Sequence, residues 1–401
     1  MIPDNLLSSL AIPSDSRLVM VVIDGIGGLP VRGKTELESA RTPNLDRLAS
    51  KSICGLIDPI SYGITPGSGP SHLALFGYDP FQYEIGRGVM EALGIGLKLT
   101  QNDLTARGNF STMDEKGIII DRRAGRISTE KNKKLCQILQ NEMKEVEGVK
   151  VSIYPGKEHR FVIVFQGDGL RDELTDADPQ KDGMTVKWSE PLSPEARDTA
   201  EMVNHYLKMA AEILRPFFPA NSILLRGFSK VPDIPSMSER FKLRPAAIAT
   251  YPMYRGLARL VGMEILDTGE TLREEVGTLQ REFNHYDFFY LHFKKPDMAG
   301  EDGNFKLKVK AIEEIDRFIP SILKLKPDVL VVTGDHSTPT LLKGHSWHPN
   351  PLLLYSRYIR PDGIKRFTER HCQKGQLGRF PALNVIPLML AHGLRLKKFG
   401  A

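Results

Sequence analysis

Pro327-Asp-Val-Leu-Val-Val-Thr-Gly-Asp335-His336-Ser-Thr-Pro339 is an apolar, β-branched run that ends in a turn residue, an acid and a histidine. An apolar run without polar alternation marks a strand buried on both faces, as in a parallel α/β sheet. The opposite end of the chain repeats the arrangement: Leu18-Val-Met-Val-Val-Ile23 leads straight into Asp24-Gly-Ile-Gly-Gly28. Open α/β sheets bind their ligands outside the carboxyl ends of the strands. Two such deliveries from opposite ends of the chain predict one site, assembled by the whole fold from Asp24, Asp335 and His336.

The bulk composition is that of an ordinary globular protein. The 401 residues are 41% hydrophobic and 26% charged, with a formal net charge of +5. That length allows two domains and a large core. The charge is mild and scattered, which argues against a nucleic-acid partner and is compatible with a small anionic substrate. Cys54, Cys136 and Cys372 form no CxxC pair, so a reducing, cytoplasmic compartment without structural disulfides is expected. No signal peptide or membrane-spanning run is visible, and no membrane partner is expected. The sequence leaves the oligomeric state open, a homo-oligomer included.

Along the chain, Thr42-Pro43-Asn44-Leu45-Asp46 reads as a helix start, with Thr42 as cap and Pro43 in the first helical position. Gly and Pro residues around Ser68 predict a tight loop, followed by a short helix from Ser71 to Phe76. The texture changes at about residue 98 into short strands and polar turns, with amphipathic helices expected at 128–146 and from Ser193 onward. The apolar α/β rhythm resumes after Phe241. There, Tyr286–Phe293 reads as a strand ending at Lys294, Lys295 and Asp297. Residues 305–323 read as one helix, and the closing helix is expected to break near Pro387. This gives a discontinuous α/β catalytic domain of residues 1–90 and 243–401, with a smaller α+β domain, 91–242, inserted into it.

The polar residues at strand ends and in Gly-rich loops form a constellation. Asp24, Asp335 and His336 can hold one divalent cation, while Asp297, Glu301 and His345 can hold a second. Mixed Asp and His ligands suit manganese, zinc or iron. A pair of cations is the usual clamp for phosphoryl transfer, and a serine such as Ser68 needs such activation. Arg107, Arg122, Arg123 and Arg126 in the inserted segment, with Arg255 and Arg259 just after it, offer planar forks for phosphate or carboxylate.

These residues resemble a known family. Val22-Ile-Asp24-Gly-Ile-Gly-Gly, Thr65-Pro-Gly-Ser68-Gly-Pro-Ser-His72, Arg107-Gly-Asn-Phe, Asp121-Arg-Arg-Ala-Gly-Arg126, Tyr254-Arg255-Gly-Leu-Ala-Arg259 and Gly334-Asp335-His336-Ser-Thr-Pro, with His345, are together similar to the archaeal-type branch of the cofactor-independent phosphoglycerate mutases. That family belongs to the alkaline phosphatase superfamily. The resemblance implies an alkaline phosphatase-like core, with a mostly parallel sheet flanked by helices and a substrate-clamping inserted domain. It implies interconversion of 3- and 2-phosphoglycerate, in glycolysis and gluconeogenesis, through a phosphoserine on Ser68. It implies two divalent ions, with manganese expected and zinc, cobalt or magnesium as alternatives, and no 2,3-bisphosphoglycerate.

Asp24, Ser68, Asp335 and His336 match one metal site of the family, and Asp297 and His345 match the other. His72 and the six arginines match its substrate contacts, and the inserted domain would close over the intermediate. One position departs from the pattern: Glu301 stands where the family carries a histidine, a harder ligand that favours manganese or magnesium over zinc. Two other readings use the same residues, a phosphatase or phosphonate-processing relative and a non-catalytic anion-binding protein.

Overall fold

Leu18–Ile23 is the central strand of an eight-stranded sheet in the computed structural model, which describes residues 4–400. Across the sheet the order is Glu264–Ile265, Pro245–Ile248, Phe288–Phe293, Leu18–Ile23, Val329–Thr333, Asn350–Ser356, Ile53–Asp58, Gly378–Pro381. Only Asn350–Ser356 runs against the others. Every residue of Leu18–Ile23 is buried, as its unbroken apolar run requires. Val19, Val21 and Ile23 join a core with Leu45, Leu48, Val276, Leu279, Ile312 and Ile315 from the helices on one face. The alternate residues, Leu18, Met20 and Val22, point to the opposite face and are equally buried.

Register decides where the chemistry goes. Ile23 pairs with Phe293, and Val22 with both His292 and Thr333. The Asp24 backbone N–H donates to the Phe293 carbonyl at 3.0 Å. Three neighbouring strands therefore end side by side, and the residues just beyond them, Asp24, Lys294 to Asp297, and Asp335 with His336, emerge at one edge.

The chain divides into two compact units, Met1–Glu84 with Ile234–Ala401, and Ile85–Asp233. The second is α+β. Its antiparallel sheet is centred on Asp103–Met113, flanked by Arg160–Gln166 and Ser222–Lys230. Phe161, Ile163 and Phe165 face the helices Thr129–Glu142 and Arg197–Leu214, while Val162 and Val164 pack with Ala92. That alternation is the period-two signature of a strand.

Several elements differ from the sequence expectation. Helix 128–146 stops at Glu142, and Glu145–Val146 turns back to pair with Val149 and Lys150. The single helix of 305–323 is two, Phe305–Asp316 and Ile319–Leu323. Pro320 has no N–H to donate, and its ring clashes with the carbonyl four residues back, that of Asp316. Conversely, Val385–His392 is unbroken, because Pro387 lies in its first turn, where the N–H has no intrahelical partner to lose. The helix after the Gly-rich loop begins at Ser68, not Ser71.

Thr42 makes no side-chain cap to the helix Pro43–Ala49. The buried Asp316 does so from far away in sequence, accepting from Leu45 N at 2.7 Å and Asn44 N at 3.0 Å. The Thr42 hydroxyl is buried with no partner. Asp316→Ala should therefore cost about 2–3 kcal/mol in chemical denaturation, the range for hydrogen bonds to a charged group, while Thr42→Val should be close to neutral. Equal costs would contradict the assignment of the cap.

Glu275 is 4% exposed and lines a cavity of about 160 Å³ with Tyr251, Phe293, Lys294 and Met298. Burial pushes its carboxyl up to about 8, against the pull of Lys295 and with help from Glu314. A carboxyl raised in the folded state stabilises the fold below its unfolded value, near 4.3, and that contribution is lost as pH rises through about 8. Glu275→Gln should thus gain stability relative to the wild type as pH rises from about 5 to about 9. A difference that does not vary with pH would contradict this.

Candidate active site

Asp24, Asp335, His336 and Ser68 converge. His336 Nε2 lies 3.0 Å from Asp335 Oδ2, 3.4 Å from Asp24 Oδ1 and 3.4 Å from Ser68 Oγ. Asp24 Oδ2 is 3.1 Å from His292 Nε2 and 3.1 Å from Lys294 Nζ. Asp335 Oδ1 accepts from the Gly25 N–H at 3.2 Å. Ser68 opens the helix Ser68–Leu75, so its hydroxyl stands beside the free N–H groups of a helix start.

A second group adjoins the first. Asp297 is buried in the helix Lys295–Glu301. Its Oδ1 accepts from Thr338 Oγ1 at 2.5 Å and lies 3.7 Å from His345 Nε2, while its Oδ2 accepts from Lys294 Nζ at 2.6 Å. The His336 and His345 rings stack at 3.6 Å. His345 Nδ1 lies 2.9 Å from the Pro66 carbonyl, to which it must donate, leaving Nε2 free to ligate. Glu301 Oε1 comes within 3.9 Å of His345 Nε2, but its side chain is half exposed.

Two ligand sets, Asp24–Asp335–His336 and Asp297–His336–His345, each place one atom per residue within 4.8 Å of the others. Glu301 belongs to neither.

The charge balance fits cations. Burial pushes the Asp24 carboxyl up, but the hydrogen bond and charge of His292, with His336 and Lys294, hold it well below the usual range. Asp335 is pushed well up by burial and by the nearby charges of Asp24 and Asp297. Burial also pulls His336 well down and His72 down to about 3, and for His336 this favours the neutral form that a metal ligand needs. Asp24 Oδ1 and Asp335 Oδ2 are buried acceptors with no hydrogen-bond donor. Buried carboxylate oxygens without donors are costly unless a cation meets them, so these residues fit a divalent ion.

The predicted anion contacts lie in several environments. His72 is fully buried, and its Nδ1 donates to the Ser68 carbonyl at 2.8 Å. The Arg122 fork is held by Asp178 through two bonds of 2.7 Å, while Arg123 and Arg126 are exposed. Arg255 approaches Asp267 at 3.9 Å, and Arg259 lies on the same helix, Pro252–Leu260.

Arg107 stands apart. It pairs across the sheet with Arg226 and ion-pairs with Glu91 at 3.0 Å. Burial, with repulsion from Arg226, Arg160 and Arg87, pulls it down to about 10 despite Glu91. The Nε atoms of Arg107 and Arg226 are buried without an acceptor. Like charges directly opposed on a sheet are destabilising on their own, and an anion relieves them.

Sequence pattern gives no sign of the group that Arg87, Arg160 and Arg226 form with Arg107 in the inserted unit, nor of Tyr254 and Thr338 beside the carboxylate cluster. His292, also beside that cluster, does carry a signal, a polar residue inside an otherwise apolar strand. Tyr254 Oη accepts from Lys294 Nζ at 3.0 Å. Burial and the charges of Asp24 and Asp335 raise the phenol far above its ordinary range, so it stays protonated.

Among the described residues no helix is long and apolar enough to cross a membrane. Residues 49–217 match the family model described as 2,3-bisphosphoglycerate-independent phosphoglycerate mutase. The chain is 54% identical over 395 residues to a probable 2,3-bisphosphoglycerate-independent phosphoglycerate mutase of Thermotoga neapolitana, with 98% of each chain covered. It is 51% identical over 406 residues to the protein of the same description from Aquifex aeolicus, covering 99% of this chain and 100% of that one. Among solved structures, it is similar to the cofactor-independent phosphoglycerate mutase from Thermoplasma acidophilum, with a TM-score of 0.78 and 30% identity over 94% of this chain and 100% of the other. A Pyrococcus horikoshii protein gives a TM-score of 0.82 at 31% identity, over 97% of this chain and 100% of that one. With an α/β core, an inserted α+β unit and full-length relatives at half identity, the chain belongs to the 2,3-bisphosphoglycerate-independent phosphoglycerate mutase family.

Proposed function

We propose that the protein interconverts 3-phosphoglycerate and 2-phosphoglycerate through a phosphoserine on Ser68, at a site that holds two divalent cations. The observation that carries this reading is the convergence of the Ser68 hydroxyl with buried Asp24 and Asp335, each of which has an oxygen without a donor. Asp24, Asp335 and His336 would hold one ion beside Ser68, and Asp297 and His345 the other, with Glu301 able to swing in from its half-exposed position. Manganese suits this set of carboxylates and imidazoles. Bound divalent ions supply the positive charge that activates a hydroxyl and neutralises the transferring phosphoryl oxygens.

The chain's own groups do the rest. Ser68 Oγ forms the bond to phosphorus as the bond from phosphorus to the C3 oxygen breaks. The proton lost by Ser68 ends on that departing oxygen, leaving glycerate. Glycerate then turns, its C2 oxygen attacks phosphorus, the bond to Ser68 Oγ breaks, and the serine regains a proton. The helix-start N–H groups at Ser68 favour the phosphoryl charge. The Lys294 ammonium bridges the Asp24 and Asp297 carboxylates, offsets their repulsion and holds them in place. In the inserted unit, Arg107 and its neighbours Arg87, Arg160 and Arg226 bind an anionic group of the substrate, using the buried donors that lack an acceptor. Exclusion of water is what makes the outcome isomerisation rather than hydrolysis.

Ser68→Ala should lower mutase turnover by at least about 1,000-fold while the fold is kept, since it removes the nucleophile itself. Turnover within about tenfold of the wild type would contradict a phosphoserine route. Chelation with EDTA should abolish activity, and manganese should restore it.

Arg226→Ala should raise KM for 3-phosphoglycerate about tenfold or more, the loss expected for one charge-assisted contact. An unchanged KM and kcat would remove this arginine cluster from the substrate site.

A further inference from the structure

Thr338 Oγ1 touches two ligand side chains at once. It lies 2.5 Å from Asp297 Oδ1 and 3.0 Å from His336 Nδ1. A threonine hydroxyl has one proton to give and lone pairs to accept with. Asp297 Oδ2 accepts from the Lys294 ammonium at 2.6 Å, and its Oδ1 accepts the hydroxyl proton of Thr338. With its proton engaged there, the Thr338 oxygen is set to accept from His336 Nδ1, the arrangement that puts the ring proton on that nitrogen. The lone pair is left on Nε2, the nitrogen that faces Asp24, Asp335 and Ser68.

We propose that Thr338 is a positioning residue: its hydroxyl fixes the tautomer of His336 and ties the ligands of the two cation positions into one hydrogen-bonded unit. This rests on the two-cation reading above. His336 stands near both ligand sets, and the hydroxyl commits it to one of them. The other position is left with Asp297 and His345 as its buried and half-buried ligands and Glu301 at its margin, so the two positions are unequal.

The setting of Thr338 is built for this task. The residue is fully buried. Its carbonyl accepts from the buried Lys308 ammonium at 2.9 Å, and the same ammonium donates to the Gly27 carbonyl at 2.9 Å. Gly25 takes φ +65°, and a Cβ there would come within 2.6 Å of Thr338 Oγ1 and 2.9 Å of the Asp297 Cα. Hydrogen-bonded partners behind a metal-binding histidine orient the ring and fix its tautomer, and removing them typically costs 10- to 100-fold in metal affinity.

Two measurements on the full-length protein test this. Long-range ¹H–¹⁵N spectra of the metal-free protein, with the His336 signal identified by its loss in His336→Gln, report which ring nitrogen carries the proton. The expected result is Nδ1 in the wild type and in Thr338→Ser, and loss of that preference in Thr338→Val. Manganese binding, followed by the resonance of the free ion, should weaken about 10- to 100-fold in Thr338→Val and stay within about threefold in Thr338→Ser.

A wild-type proton on Nε2 would overturn the proposal, and so would a Thr338→Val protein that keeps both the tautomer and the manganese affinity. If Thr338→Val does not fold, the wild-type tautomer and Thr338→Ser still decide. If the wild type binds no manganese, the two-cation reading fails while the tautomer continues to judge Thr338.

Discussion

Three carboxylates, Asp24, Asp297 and Asp335, are fully buried in one cluster, and the surrounding structure answers to that concentration of charge. Like charges out of water repel strongly and lose their hydration. A single ammonium, Lys294, reaches two of them. His292 supports Asp24, the Gly25 N–H supports Asp335, and Thr338 supports Asp297. What remains unanswered is one oxygen on Asp24 and one on Asp335, both facing His336 Nε2, which also faces the Ser68 hydroxyl. A fold selected for stability alone would place apolar groups there, so the cluster is best understood as a cation site that the fold tolerates for its chemistry.

The sheet makes the cluster possible. A central strand between two parallel neighbours, in register at Ile23–Phe293 and Val22–Thr333, brings residues from both ends of the chain to one edge. The loops beyond the strands are then clamped from behind. Lys308 is buried and donates to two loop carbonyls, and Glu36 accepts from the backbone and hydroxyl of Thr340. Such support leaves the ligand side chains little freedom, which is what a site needs if its ions and its serine are to meet in a fixed geometry.

Much of this was legible in the sequence because it rests on local pattern. Unbroken apolar runs announced buried strands, and the acids after them announced the site, so Asp24, Asp335, His336 and Ser68 could be named together. What escaped depends on partners distant in sequence. The cap on Pro43–Ala49 comes from Asp316, not from Thr42 immediately before it. Pro320 broke a helix that periodicity alone read as continuous, whereas Pro387 did not, because only its position within the turn decides. His292 is a strand residue, and only the pairing of its strand with Leu18–Ile23 brings its ring to Asp24. The arginine group around Arg107 arises from strand pairing with Arg226, which spacing along the chain cannot show.

The most direct test of the account is to mix the manganese-loaded protein with 3-phosphoglycerate carrying a labelled phosphoryl group, quench within one turnover, and map the label by mass spectrometry. Label is expected on the peptide containing Ser68, at Ser68 itself. Label on another residue, or turnover to 2-phosphoglycerate with no labelled protein at any time, would contradict it.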